Sequence, residues 1–256
     1  MLGYCAKALG ICLSNPVRAL MMFFPLPIAM LMLDRNPGSQ IMAFDALFAV
    51  GIVSLIFLYK LKQNASFSDA FLYAVITLLG YGALRTWLFG AYQEQVFTQG
   101  LETIRTQFPS MVQNVMLQGT LPIWKALLPA VWVVTQSMGL YLGYLLFGKL
   151  LKLPSQISTL RFPGLYNMLI IAILPLYLFE QTKMLFINAL LAMCVVPFIQ
   201  GTTVVSQRLS LVFANKIVHG VFMAIIILYA HILLVLMGFA DMWLNKRNEI
   251  PGGITA

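Results

Sequence analysis

Asp45, Arg85, Gln136, Asn188 and His231 stand inside otherwise apolar stretches of this sequence. A polar or ionisable group in such a setting is costly unless it pairs or lines a cavity, so each is a candidate for the polar core of a ligand site. Asp45 and Arg85 carry opposite charges. Their segments, 40–59 and 67–92, run antiparallel through a short turn near Gln63, and counting outward from that turn brings both residues to similar depth. The spacing predicts a salt bridge that relieves both desolvation costs, serving folding alone or polarising a ligand site. Gln136 lies beside Ser137 with Trp132 one turn earlier, and Asn188 lies near the outer end of its segment. His231 is expected to face the interior with a polar partner, because an imidazole turned to lipid leaves its N–H unsatisfied.

The spacings of known intramembrane catalysts are absent. The sequence has no HExxH, no GxSxG, no paired intramembrane aspartates and no GxxxxGK[ST]. His219 and His231 have no carboxylate or thiol at ligand spacing, so neither a metal nor a cofactor is expected. Cys5, Cys12 and Cys194 sit in apolar runs without a CxxC and read as small buried hydrophobes. The chain is expected not to be an enzyme.

The elements that must position these residues are long apolar segments. With 61% hydrophobic and 9% charged residues and a mean hydropathy of +0.88, the chain is too apolar for a soluble domain of its length. The fold class expected is all-α: a polytopic transmembrane bundle, one integral membrane domain over 1–256. Seven spans are read at 17–33, 40–59, 67–92, 122–148, 163–179, 184–206 and 217–240, with a shortened first span at 1–14. No cleavable signal pattern is read at the start, since Lys7 interrupts a short apolar run. Prolines interrupt several spans: Phe24-Pro25-Leu26-Pro27, Pro129, Pro175 and Pro197. Each removes a donor and frees a carbonyl that neighbours, side chains or water must satisfy. Gly139 and Gly143 form a GxxxG, a spacing that permits close helix approach within the bundle.

The formal charge of +8 does not point to nucleic acid, because the lysines and arginines are scattered at the ends of apolar segments. Their bias puts Lys7, Arg18, Lys60, Lys62, Lys149, Lys152, Arg161, Arg208 and Lys216 on the cytoplasmic side and the C-terminus outside. Trp87, Tyr92, Trp124 and Trp243 then form an outer aromatic belt. The connection 93–121 falls outside as well. Its Phe97, Leu101, Ile104 and Phe108 make a helical apolar stripe, and Pro109 separates it from a shorter stripe at Val112, Val115 and Met116. Two amphipathic helices lying at the outer surface are expected. The tail from Asp241 is expected to continue the last helix past the membrane. Asp241, Trp243 and Arg247 would then contact a lid over the ligand or a partner, since Asp241 and Arg247 cannot pair along one helix face.

Several pieces together resemble the bacterial membrane-protein family typified by YybS. They are the Phe24–Pro27 break, Pro175, Gln200-Gly201 with the following Thr-Thr-Val-Val, and the closing Gly238-Phe-Ala-Asp241-Met-Trp-Leu-Asn-Lys-Arg247. That resemblance implies eight spans and carries no catalytic residues to transfer. More remotely, the architecture is similar to the substrate-binding subunits of energy-coupling factor transporters and to small membrane proteins of cell-shape machinery. The expectation is a multi-pass protein of the bacterial cytoplasmic (inner) membrane, embedded in the lipid bilayer. It would be a non-catalytic binding or transport subunit taking a small-molecule ligand and needing a membrane-protein partner, with no nucleic acid involved. The alternative is a structural or assembly subunit of a larger membrane complex.

Overall fold

The computed structural model describes residues 24–108, 115–150, 160–162 and 165–244. Among these residues every regular element is a helix. In chain order they are α1 (Pro25–Leu33), α2 (Pro37–Asp45), a π-helical turn (Ala46–Ile52), α3 (Val53–Lys62), α4 (Phe67–Gln107) and α5 (Val115–Leu150). Then come α6 (Leu165–Ile173), a 3-10 turn (Leu174–Leu178), α7 (Lys183–Met193), α8 (Val195–Val212), α9 (Lys216–Tyr229) and α10 (His231–Leu244).

Four continuous helical runs are long and apolar enough to cross a membrane: Pro37–Lys62, Phe67–Gln107, Gly119–Leu146 and Lys183–Val212. The pair α9 and α10 makes a fifth only if its two halves count as one span. Among the described residues, four or five of the seven spans read from the sequence thus have a helix of the required length and apolarity. The segment 217–240 is not one helix: it bends by 98° between Tyr229 and His231, with Ala230 held outside helical geometry at φ −118° and ψ 25°. No proline or glycine stands there, so local propensity gave no warning of the break. The segment 163–179 is a nine-residue helix followed by a 3-10 turn that carries Pro175. Of 17–33, only the nine residues of α1 are helical in the described part; residues 1–14 lie outside it.

The connection 93–121 also differs from expectation. Its first stripe is helical, but the helix is α4 itself, which runs unbroken for 41 residues. At 1.5 Å per residue that is about 60 Å, twice the ~30 Å hydrocarbon thickness. Helix α5 is 36 residues long and overshoots in the same way. The two overhangs are extensions of spans, tied by a Lys125–Glu94 ion pair, and are not separate surface helices. Pro109 and Val112 fall outside the described residues.

Local chemistry sets the starts of these helices. Asn36 caps α2 by accepting the Gly38 N–H at 2.9 Å, with Pro37 pre-set for the first helical position. Ser66 caps α4 by accepting the Asp69 N–H at 3.1 Å and donates its own hydroxyl to the Asp69 carboxylate at 2.7 Å. The turn between α3 and α4 places Asn64 at φ 60°, a conformation asparagine tolerates well. Antiparallel α3 and α4 then join α5 around an aromatic cluster of Phe57, Phe67, Phe71, Tyr141 and Tyr144.

Helices α8 and α10 meet at two glycines. A Cβ placed on Gly201 would collide with the Leu234 carbonyl oxygen, and one on Gly238 with the Pro197 carbonyl oxygen. Both obstacles are backbone and cannot swing away. Gly139 and Gly143, the pair whose spacing suggested close approach, instead have open space where a Cβ would go. A GxxxG on one helix therefore did not locate the contact, which is made by one glycine from each of two helices. Gly201→Ala should destabilise the protein by about 1–3 kcal/mol through overpacking against a rigid backbone. Gly139→Ala should be neutral or stabilising by up to about 1 kcal/mol through helix propensity. Equilibrium unfolding in detergent micelles measures both; equal effects would contradict the contact.

Candidate functional site

Asp45 closes α2 where the chain enters the π-helical turn, and that wide turn resets the register of side chains after it. Arg85 lies on α4, one turn beyond Tyr81. The two helices bring the charges together. Arg85 Nε donates to Asp45 Oδ1 at 2.8 Å and to Oδ2 at 3.2 Å, and Nη2 donates to Oδ2 at 3.1 Å. The Tyr81 hydroxyl donates to Oδ1 at 2.8 Å. The guanidinium carbon lies 4.7 Å from the centre of the Trp132 ring, and Phe48 stacks on Tyr81 at 5.2 Å. Aromatic faces thus shield a forked ion pair whose side chains keep 15% (Arg85) and 23% (Asp45) of their exposure.

Beside this pair, a cleft of about 520 Å³ lies between α2, α4 and α5. Its walls include Gly38, Tyr92, Gln93, Phe97 and Trp132, and Arg85 is the residue of the ion pair that reaches it. Gln93 Nε2 is buried with no hydrogen-bond partner. A buried amide donor left unpaired costs about 1–3 kcal/mol, so it asks for an explanation. The cleft is lined by Arg85, by the Gln93 side chain and by aromatic residues. That is a surface for a molecule with oxygen acceptors and a flat or apolar body.

The other candidates do not join this site. Asn188 repairs the helix break at Pro129. Its Oδ1 accepts the Ala130 N–H at 3.0 Å and its Nδ2 donates to the Ala126 carbonyl at 2.8 Å. An unbroken α-helix would pair those two groups with each other. Nδ2 also donates to Met184 O at 2.9 Å, so both amide hydrogens are used within the protein. Gln136 is partly buried on α5 and lines neither large cleft. His231 does not face the interior: it is the exposed first residue of α10, at the corner of the bend, with no side-chain partner among the described residues. His219 is the histidine that finds one, with Nε2 at 3.1 Å from the Ser206 carbonyl oxygen.

Among the described residues the Asp241 carboxylate accepts from Gln200 Nε2 at 2.6 Å, while Gln200 Oε1 accepts the Phe162 N–H at 3.1 Å. One buried glutamine on α8 thereby ties α10 to the 160–162 segment. Trp243 is exposed, and Arg247 lies outside the described residues. Sequence reasoning missed Gln93, Tyr81 and Gln200. Gln200 stands in an apolar run just as Gln136 does, so the signal was there. Gln93 was read as the start of a loop because the span seemed to end at Tyr92.

Comparison with family models, with curated proteins and with solved structures finds no match.

Removing one member of the ion pair leaves the other nearly buried and uncompensated. Asp45→Ala or Arg85→Ala should each destabilise by about 3 kcal/mol, and the double replacement should recover much of that loss. A double-mutant cycle read by equilibrium unfolding checks this; additive losses would show that the two charges are not coupled.

Proposed function

We propose that this protein is a non-catalytic, multi-pass subunit of the bacterial cytoplasmic membrane that binds a small acceptor-bearing molecule in the cleft between α2, α4 and α5. The observation that carries this reading is the unpaired, buried Gln93 amide in the same cleft lining as the Arg85 guanidinium. Ser137, Arg161 and Asn167 also hold a buried side-chain atom without a partner, but Gln93 shares the lining of this cleft with a guanidinium, and a ligand oxygen reaching its amide would complete it. Asp45 and Tyr81 then act by positioning: they fix the guanidinium from behind and leave its outer edge toward the cleft. The ligand need not be strongly anionic, since Asp45 already balances the Arg85 charge. No nucleotide-hydrolysing motif occurs in the sequence, so uphill movement of the ligand would depend on a partner or an ion gradient. Membership of the YybS-like family belongs to this same proposal.

A second reading, a structural or assembly subunit, is favoured by one feature. The overhanging ends of α4 and α5 expose Val96, Ile104, Phe108, Ile123 and Trp124, apolar surface of the kind a membrane-protein partner covers.

Gln93→Leu separates these readings. Losing an unsatisfied donor should stabilise the ligand-free protein by about 1 kcal/mol, while ligand retention falls. Native mass spectrometry of protein extracted from its own membranes, with thermal unfolding alongside, checks both. A small molecule retained equally by wild type and variant, or no change in either measurement, would count against the cleft.

A further inference from the structure

A second, larger cavity of about 640 Å³ lies on the other side of the α4–α5 pair, walled by α4, α5, α7 and the residues around the 3-10 turn. Its chemistry is opposite to that of the polar cleft. Apart from Trp87 at the rim, Thr86 and Asn188 are the polar residues of its lining, and neither has a donor to offer. The Thr86 hydroxyl donates to the Gly82 carbonyl at 2.9 Å. The Asn188 amide hydrogens are both taken by backbone carbonyls. Water would find almost no hydrogen-bonding sites inside, and an apolar cavity of this kind takes up an apolar occupant.

The cavity is also held open. Ala83, Ala126, Ala130, Ala189 and Ala192 line it, and small residues on facing helices normally permit close approach. Here the Asn188 side chain bridges α7 to the backbone of α5 at Ala126 and Ala130, fixing the spacing as a brace would. The rim residues Trp87, Met184 and Leu185 are exposed, so the opening faces the surroundings of the bundle. Those surroundings, at the level of the apolar spans, are hydrocarbon.

We propose that this cavity holds one acyl chain of a bilayer phospholipid. The proposal stands apart from the polar cleft and needs no ligand there. The lysines nearest the lining in sequence, Lys125 and Lys183, are each already paired, with Glu94 and Glu180. The mouth therefore selects for the chain and not for the headgroup.

The test uses the whole protein in nanodiscs containing phosphatidylcholine, or phosphatidylglycerol, with a diazirine on the same acyl chain. Photolabelling should fall on residues 79–87 and 184–193, be equal for the two headgroups, and saturate at one chain per protein as the probe fraction rises. Labelling at Leu228, exposed on α9, should instead keep rising in proportion. Ala189→Phe, which fills the cavity, should lower the lining labels about tenfold, equivalent to removing about 1.4 kcal/mol of chain contact. Ala83→Phe does the same from the opposite wall. Lining labels that rise without saturation in the wild type would overturn the proposal whether or not either variant folds. So would labels that survive in folded variants. Labelling by a diazirine fatty acid alone, without the phospholipids, would assign the cavity to a free acid and overturn the phospholipid reading. Labelling by one headgroup only would overturn it too.

Discussion

A bilayer gives a broken helix nothing to hydrogen-bond with, and this protein is arranged around meeting that constraint from within. Pro197 lacks the N–H that would reach the carbonyl four residues back, that of Met193. The Tyr166 hydroxyl donates to that carbonyl at 2.7 Å, where α7 gives way to α8. Pro129 disturbs α5 in the same manner, and Asn188 takes up the neighbouring N–H and C=O. Each repair joins the broken helix to another element, α6 in the first case and α7 in the second. The prolines thus generate the tertiary ties that position the cavity walls. Gln200 works likewise, joining the 160–162 segment to α10 just beside the Gly201–Gly238 contact.

Polar residues at membrane depth consequently fall into two groups. Tyr166, Asn188 and Gln200 use their hydrogen-bonding groups on backbone or on Asp241. They are structural in the strict sense that their donors are already engaged. Gln93, Ser137, Arg161 and Asn167 each keep an enclosed side-chain atom unpaired, and of these Gln93 is the one in the lining of the α2–α4–α5 cleft. Arg85 stands between the groups, bound on one edge by Asp45 and lining a cleft with the rest. In the proposed reading, it is the pairing of Gln93 with Arg85 in one cleft lining that makes the α2–α4–α5 cleft the place for a polar ligand. In the cavity beyond α4 and α5, the donors of Thr86 and Asn188 are already engaged, which is what the proposed hydrocarbon occupant requires.

The sequence announced the long apolar helices and the Asp45–Arg85 pair, because hydropathy and helical rise are local and regular. That proline breaks would need partners was also legible. Which side chains would serve was not, since Asn188 lies 59 positions from Pro129 and Tyr166 about thirty from Pro197, distances that only packing closes. The bend at Ala230 left no mark in composition, since no proline or glycine stands there. Gln93 escaped notice for a related reason. A charge or amide at the end of an apolar run looks like the start of a loop, and nothing local says that α4 continues to Gln107.

The most direct measurement is an electron cryo-microscopy structure of the protein extracted from its own membranes into nanodiscs, at a resolution that shows side-chain amides. The account predicts non-protein density in the α2–α4–α5 cleft, within hydrogen-bonding distance of both the Gln93 amide and the Arg85 guanidinium. A cleft closed by side chains, with the Gln93 amide bonded to a protein group, would contradict it.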